Sequence, residues 1–327
     1  MNTEAPTLLT AKRAASLLKH RTLDLYYLRG LFDGEPLRIL VADDGATLSY
    51  VKTLAFDEEP EIAKTGRIGA FAAPKLLGVD ADLVFVGANC LLSKHYARRG
   101  FRLVPRWVRL FLPTTQEPYS RLYDFGRQTR KYFKWMLKKV SDEGFECEFI
   151  SEPGWLRGFY DEFYRPYALS KFGEDAIIHG YQKLESAFRQ GSGAEVRKDG
   201  KVLAGAIVSR RGQILRIPHF GVALDCLNAF RDGSAFALDY FIVQHAHSNG
   251  FGYVDFGHSR PFLSDGILRY KLNWHMDVLD DDDAIGVYAV AAPGNTPSAQ
   301  KFLAANRFYE LTPDGPRVIG DSEQEEG

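Results

Sequence analysis

Most side chains of this chain that could do chemistry, and that lie in a local sequence able to hold them in place, fall between positions 219 and 275. His219, His258 and His275 are imidazoles whose ordinary pKa lies near neutrality, so each could serve as a general base. His258 stands at the exit of an apolar run, in Gly257-His258-Ser259-Arg260, and is the preferred candidate of the three. Asp255 lies inside that run, Gly252-Tyr253-Val254-Asp255-Phe256. It reads either as an acid that orients a substrate or as the internal partner of a nearby base such as Lys271 or Arg269. Metal ligation is not expected. His245 and His247 flank Ala246, and on a helix they point about 200° apart. The run Asp280 to Asp283 lacks the spaced oxygen ligands and the glycine hinge of a calcium loop and reads as a solvated turn. Cys90, Cys147 and Cys226 are far apart with no Cys-x-x-Cys pair, which argues against a disulfide scaffold and a structural zinc, and fits a reducing cytoplasm.

The elements that must position these residues belong to a chain of 327 residues, 45% hydrophobic and 25% charged, long enough for one large domain or two smaller ones. Its formal net charge of −1 gives no general affinity for nucleic acid or anionic membrane. Charge is uneven, however: between Lys94 and Lys139 thirteen Lys or Arg face only Glu117 and Asp124. These are either solvated faces compensated by acids elsewhere or a surface for a polyanion, the phosphates of a coenzyme or an RNA end. Met1 to Arg21 reads as a short amphipathic helix without a leader-peptide cleavage pattern. No run of about 18 apolar residues exists, so no membrane span is expected.

Leu37 to Ala42 and Asp82 to Val86 are β-branched runs suited to buried strands. Leu91 to Arg99 reads as a helix closed by Gly100, and Phe101 to Leu112 as one strand with an edge or bulge at Pro105. Helices follow at Trp155 to Ala168 and Ala176 to Arg189. Three strands then follow, Ala194 to Lys198, Lys201 to Ser209 and Gln213 to Val222, joined by turns at Asp199-Gly200 and Arg211-Gly212. Asp-Gly between alternating runs is a strong hairpin signal, so this is an antiparallel meander. Arg231-Asp232-Gly233-Ser234-Ala235 then opens a helix over Ser234 to Ser248, with Ser234 as the expected N-cap and Asn249-Gly250 as the stop. A strand at Gly252 to Phe256, a helical stretch from Leu263 to Trp274, and a helix running into a strand over Ala299 to Leu311 complete the reading.

This order, with a glycine-containing loop leading from the last meander strand into a helix, is similar to the GNAT fold of N-acyltransferases, whose acyl donor lies between two splayed strands with its pyrophosphate on that loop. Backbone amides and the positive end of the helix dipole make such a loop a ready anion cradle. The resemblance therefore implies that Arg231, Gly233, Ser234 and Ala235 bind the donor, in a loop one residue shorter than the usual Arg-x-x-Gly-x-Gly/Ala form. More specifically, the chain resembles the Fem-type branch of aminoacyl transferases. The features are the basic helix Arg127 to Lys139, the strand Gly252-Tyr253-Val254-Asp255-Phe256-Gly257, and the element Gly266-Ile267-Leu268-Arg269-Tyr270-Lys271, in which Tyr270 replaces the usual Phe.

That resemblance implies an α+β (mixed α/β) fold of two GNAT-like subdomains side by side, each a mixed twisted sheet flanked by helices. Residues 1–123 would be a degenerate N-terminal copy and 124–290 the acyltransferase domain; 291–318 would be a helix-strand segment completing one sheet, and 319–327 a disordered acidic tail. It implies catalytic roles for Lys271 and Tyr270, with the Lys271 ammonium near the donor carbonyl or leaving oxygen, joined by Asp255 and His258. The activity implied is transfer of an acyl or aminoacyl group from a thioester or tRNA ester to an amine by direct attack, without a metal. The donor would be acyl-CoA, acyl-carrier protein or aminoacyl-tRNA, and the acceptor an amine-bearing small molecule or peptide. The alternative is a catalytically silent GNAT scaffold that binds a polyanionic or protein partner.

Overall fold

Two Asp-Gly dipeptides set the antiparallel pairs from which the two large sheets grow. Asp33 and Gly34, with φ of 49° and 75°, join β1 (Thr22–Phe32) to β2 (Glu35–Asp43), and Asp199 and Gly200, with φ of 51° and 76°, join β8 (Gly191–Lys198) to β9 (Lys201–Arg211). Positive φ at both turn residues is the two-residue hairpin geometry whose twist matches that of the flanking strands. The second turn is the one expected from sequence; the first carries the same signal. The chain is described by a computed structural model over residues 15, 18, 21–114, 126–173, 176, 178–223, 232–279, 286–312 and 314–318. Most of the expected N-terminal amphipathic helix, Cys226, Arg231, the Asp280 to Asp283 run and the acidic tail lie outside the described residues.

The chain divides into two units, both discontinuous in sequence. One comprises Met1–Arg109, His258–Tyr270 and Val278–Gly327, the other Leu110–Gly257 and Lys271–Asp277. The first is built on a six-stranded sheet in the order β3-β1-β2-β4-β13-β5, where β3 is Glu61–Gly69, β4 Leu83–Asn89, β5 Arg102–Pro105 and β13 Gly286–Ala291. Every residue of β4 is buried, and its period-2 alternation supplies both faces. Val84, Val86 and Ala88 pack with Leu40 and Tyr96, while Leu83 and Phe85 pack with Ile39, Tyr288 and Phe302. β2 and β4 are parallel, and the helix Thr47–Ala55 lies between them in sequence.

The second unit carries a seven-stranded sheet in the order β12-β6-β11-β10-β9-β8-β7. Here β6 is Val108–Pro113, β7 Glu146–Ile150, β10 Ile214–Val222, β11 Tyr253–Ser259 and β12 Asp277–Leu279. The meander β8-β9-β10 is antiparallel as expected, and the helix Ser234–Ser248 carries the chain to β11, which runs parallel to β10. Each unit is thus a mixed sheet flanked by helices, with a hairpin and a parallel strand pair; in the first unit β3 as well as a helix separates the parallel strands in sequence. Both sheets have the mixed parallel and antiparallel pairing that the resemblance implies.

Several local expectations are corrected. Phe101 to Leu112 is two strands in different sheets, because the chain breaks at Arg106-Trp107 just after Pro105, which has no N–H for a ladder. Past β13, among the described residues, the segment adds no strand to either large sheet: helix Pro297–Ala305 packs Ala299 and Phe302 into the first unit, and β14 (Tyr309–Thr312) pairs with β15 (Gly315–Val318) in a separate two-stranded sheet. The strand that joins the first sheet after the second unit is β13, so the span expected as one domain at 124–290 contributes to both units. The second helix after the basic one starts at Tyr181 rather than Ala176, behind Gly180.

Between β9 and β10 the paired glycines Gly205 and Gly221 clear a lane on the sheet for the π-helical turn Phe159–Tyr164. A Cβ on Gly221 would stand 2.7 Å from Phe163 C and Tyr164 N, both backbone atoms that cannot swing aside. Gly221→Ala is expected to destabilise the protein by about 1–3 kcal/mol through overpacking. A urea midpoint unchanged from wild type would refute this account of the contact.

Candidate functional site

The feature that organises the second unit is the separation of its parallel strands. β10 pairs with β11 only over Ile214–Arg216 against Tyr253–Asp255. At the same point the β10–β9 ladder shifts register between Arg216 and His219, so Ile217 and Pro218 form a bulge. Proline supplies no amide and a bulge bends the strand, so the β10–β11 ladder ends at Arg216 while β10 stays paired to β9 up to Val222. This is where the resemblance expects a wedge between splayed strands, with Ile217 and Pro218 of β10 on one side and the end of β11 on the other.

Asp255 sits on the last paired rung and is buried at 2% exposure. Its carboxylate accepts from Arg216 Nε at 3.2 Å and from the Gly257 amide at 2.9 Å. One base that meets it is Arg216, its cross-strand neighbour, which the sequence reading did not single out. The signal was available, because in a parallel pair Arg216 and Asp255 share a register position. Gly257, at φ 70°, turns β11 just past the rung. Lys271 comes from helix Gly266–Leu272 and is buried at 8% exposure, not on an exposed helix face. Its ammonium donates to the Phe256 carbonyl at 2.8 Å and reaches the Gly257 carbonyl at 3.5 Å. A buried cation needs such acceptors to offset lost hydration.

Trp274 fixes this arrangement: its ring lies 4.9 Å from Phe133 on the basic helix Arg127–Asp142, 4.9 Å from Phe236 on helix Ser234–Ser248, and 6.2 Å from Phe256 on β11. One aromatic cluster therefore ties the wedge to the loop expected to hold an anion. There Gly233, at φ 93°, is the N-cap and Ser234 the first helical residue, so the expected Ser234 cap is replaced by a glycine without a side chain. Ser234 and Ala235 are buried in the first turn, whose amides have no intrahelical acceptors. The Lys139 stem passes Gly233, with Cε 3.4 Å from where a Cβ would stand; its ammonium lies 3.5 Å from Glu143. A cradle with no side chain, a helix start and a neighbouring cation fits an anionic group.

The corresponding helix start of the first unit is different. At Thr47–Ala55 the Asp43 carboxylate accepts from the Thr47 and Leu48 amides at 2.8 and 3.1 Å. An anion arriving there would have to displace a carboxylate built into the chain.

The remaining candidates are spread out. His219 is buried on β10 past the bulge, its ring 5.4 Å from those of Tyr164 and His179, and burial pushes its pKa down to about 3. It stays neutral and is too weak a base to hold a proton near pH 7. His258 is exposed at the end of β11, and Tyr270 is half-buried on helix Gly266–Leu272. His275 is half-buried at φ 50°, in the turn before β12. His245 and His247 part company as expected, the first stacked on Phe149 at 4.0 Å and the second bonded through Nδ1 to the Thr114 carbonyl. Within the basic stretch, Arg102 pairs with Glu310, Arg106 with Asp44, Lys138 with Asp142 and Lys139 with Glu143, so part of its charge is compensated internally.

No protein-family model matches the chain, and no curated protein matches its sequence. Among solved structures it is similar to FemX, at 12% identity and a TM-score of 0.44 over 84% of this chain and 85% of that one. L-PGS from Bacillus licheniformis aligns at 12% identity and 0.39 over 90% and 95%. The ribosomal-protein-S18-alanine N-acetyltransferase from Escherichia coli aligns at 13% and 0.31 over 45% of this chain and 90% of that one. No helix among the described residues is long and apolar enough to cross a membrane.

Proposed function

We propose that the protein is an N-acyltransferase that moves an acyl or aminoacyl group from a thioester or tRNA ester to an amine, with the donor carbonyl in the wedge between β10 and β11. The observation that carries this reading is the end of the β10–β11 ladder at the Pro218 bulge, directly after the Arg216–Asp255 rung. Unpaired backbone in such a wedge can hydrogen-bond an acyl chain in place of a strand, and Gly233, Ser234 and Ala235, with Lys139 beside them, would take the donor's phosphates. The amine nitrogen attacks the carbonyl carbon, the C–N bond forms, and the C–S or C–O bond breaks. The amine's proton passes to a base, for which exposed His258 at the β11 exit is the candidate, and the leaving thiolate or alkoxide is protonated in turn. Lys271, fixed at the mouth of β11, offers positive charge to the developing oxyanion or leaving group, and Tyr270 beside it a phenol.

One observation favours the second reading, a silent scaffold: the Lys271 ammonium is already bonded to the Phe256 carbonyl, a role that holds β11 whether or not chemistry occurs. Thermal shift against acetyl-CoA, long-chain acyl-CoA, acyl-carrier protein and aminoacyl-tRNA separates the two. A donor at 100 times its Kd should add about 2.7 kcal/mol to stability. A shift with one of them fixes the donor class. No shift with any would abandon the enzyme reading in favour of the scaffold.

A further inference from the structure

The first unit contains a cationic cluster that the wedge does not explain. Arg260, just past β11, lays its guanidinium 3.7 Å over the Tyr50 ring and 4.9 Å from the Trp107 ring, and Nη1 approaches the Tyr288 hydroxyl at 3.5 Å. Tyr288 in turn carries the Arg106 guanidinium 5.2 Å from its ring centroid, and stacks on Tyr50 at 5.5 Å. Two arginines therefore converge on one buried tyrosine.

Their carboxylates do not match. Asp44 is committed to Arg106 and to the Thr47 hydroxyl, and Asp265, close enough to Tyr50 to act on it electrostatically, caps the Ile267 and Leu268 amides at 3.0 and 2.8 Å. Among the described residues no carboxylate lies within ion-pair distance of Arg260, a half-buried cation met only by two π faces and a phenol. Two further donors sit in the same segments: Arg106 Nε and Ser259 Oγ are both buried without an acceptor among the described residues. Buried donors and charges are nearly always paired, since leaving them unpaired costs their hydration. The Arg106 arm is also fixed in place, because it lies against Gly286 so tightly that a Cβ there would fall 2.9 Å from Cζ. A planar guanidinium packed against two aromatic rings keeps its N–H groups for an anion, and its fork can receive two oxygens of one anion.

We infer that Arg260, walled by Tyr50 and Trp107 and seconded by the Tyr288 hydroxyl and Arg106, is an oxyanion-binding site of the first unit that takes a carboxylate or phosphate group of a small molecule or peptide. The site is argued from residues of the first unit alone and does not draw on the acyl-transfer reading.

Isothermal titration of the full chain with N-acetyl-alanyl-alanine, its C-terminal amide, phosphoserine and inorganic phosphate distinguishes the sources of the anion. Saturable binding of the free carboxylate with none of the amide assigns a carboxylate; binding of phosphoserine or phosphate alone assigns a phosphate. Arg260→Met keeps the stem over Tyr50 and removes the donors, and should weaken the bound anion roughly tenfold or more. A second measurement needs no variant: phenylglyoxal labelling of the wild-type chain, mapped by mass spectrometry, should show Arg260 protected by the anion that binds. Absence of saturable binding by all four probes overturns the inference, as does binding that survives Arg260→Met or leaves Arg260 unprotected. A stacking role alone would lower the melting temperature of Arg260→Met and leave both binding readouts flat.

Discussion

In the proposed acyl transfer, replacing Lys271 by methionine should lower kcat by about 100- to 1,000-fold with little change in donor KM, the loss seen when one preorganised donor to a developing oxyanion is removed. Methionine preserves the length of the stem and removes the cation. The same change strands the Phe256 carbonyl, which accepts from Nζ at 2.8 Å, so stability should also fall by about 1–3 kcal/mol. The two effects come apart in Lys271→Arg. Arginine can satisfy the carbonyls and restore the melt, yet its broader fork displaces the charge, so only part of the turnover should return. If Lys271→Met loses stability but keeps its measured kcat, the ammonium is a strut for β11 and the catalytic role given to it is wrong. The assay is initial-rate kinetics with whichever donor class shifts the melting temperature, run beside urea denaturation of both variants.

What made the wedge legible in the sequence was local chemistry. Asp199-Gly200 demanded a hairpin, and the loop Arg231 to Ala235 marked the approach to a helix, each a signal that acts over a few residues. Lys271 was singled out by family likeness, yet its burial was not foreseen, because the acceptors that hold it, Phe256 and Gly257, lie in a different element. Arg216 was missed for the same kind of reason: its pairing with Asp255 depends on the parallel register of two strands joined through a helix. The division of the chain was the least legible feature. β13 enters the first sheet between β4 and β5 after the chain has built the whole second unit, and apolar periodicity in Val287 to Ala291 reports a buried strand without reporting which sheet buries it. Arg106 illustrates the cost of reading charge along the chain. It counts as one of thirteen basic residues in a surface-like stretch, but it folds inward to Asp44 and Tyr288.

His219 gives the protein a stability that should depend on pH in a direction fixed by its surroundings. Burial first, and then the nearby His179 and Lys183, hold the folded imidazole down at about 3, while in the unfolded chain it titrates near the ordinary value of 6.5. Between those two values the unfolded chain binds a proton that the folded one refuses, so stability rises with pH across the window. The contribution is complete above about pH 6.5 and is lost progressively as pH falls towards 3. At about 1.4 kcal/mol per pH unit inside the window, lowering the pH from 6.5 to 4.5 should remove on the order of 2–3 kcal/mol. His179, whose pKa burial also lowers, acts in the same direction. His219→Gln places a neutral polar group against Tyr164 and His179 and abolishes this titration. Urea melts of wild type and variant at pH 7.5 and 4.5 isolate the effect, because the carboxylates that titrate in this range are common to both proteins. Wild type should lose more stability than His219→Gln by roughly the stated amount. Equal losses would mean that the imidazole is protonated in the folded state, and that the β10 bulge admits water to a position the packing of Tyr164 and His179 should keep dry.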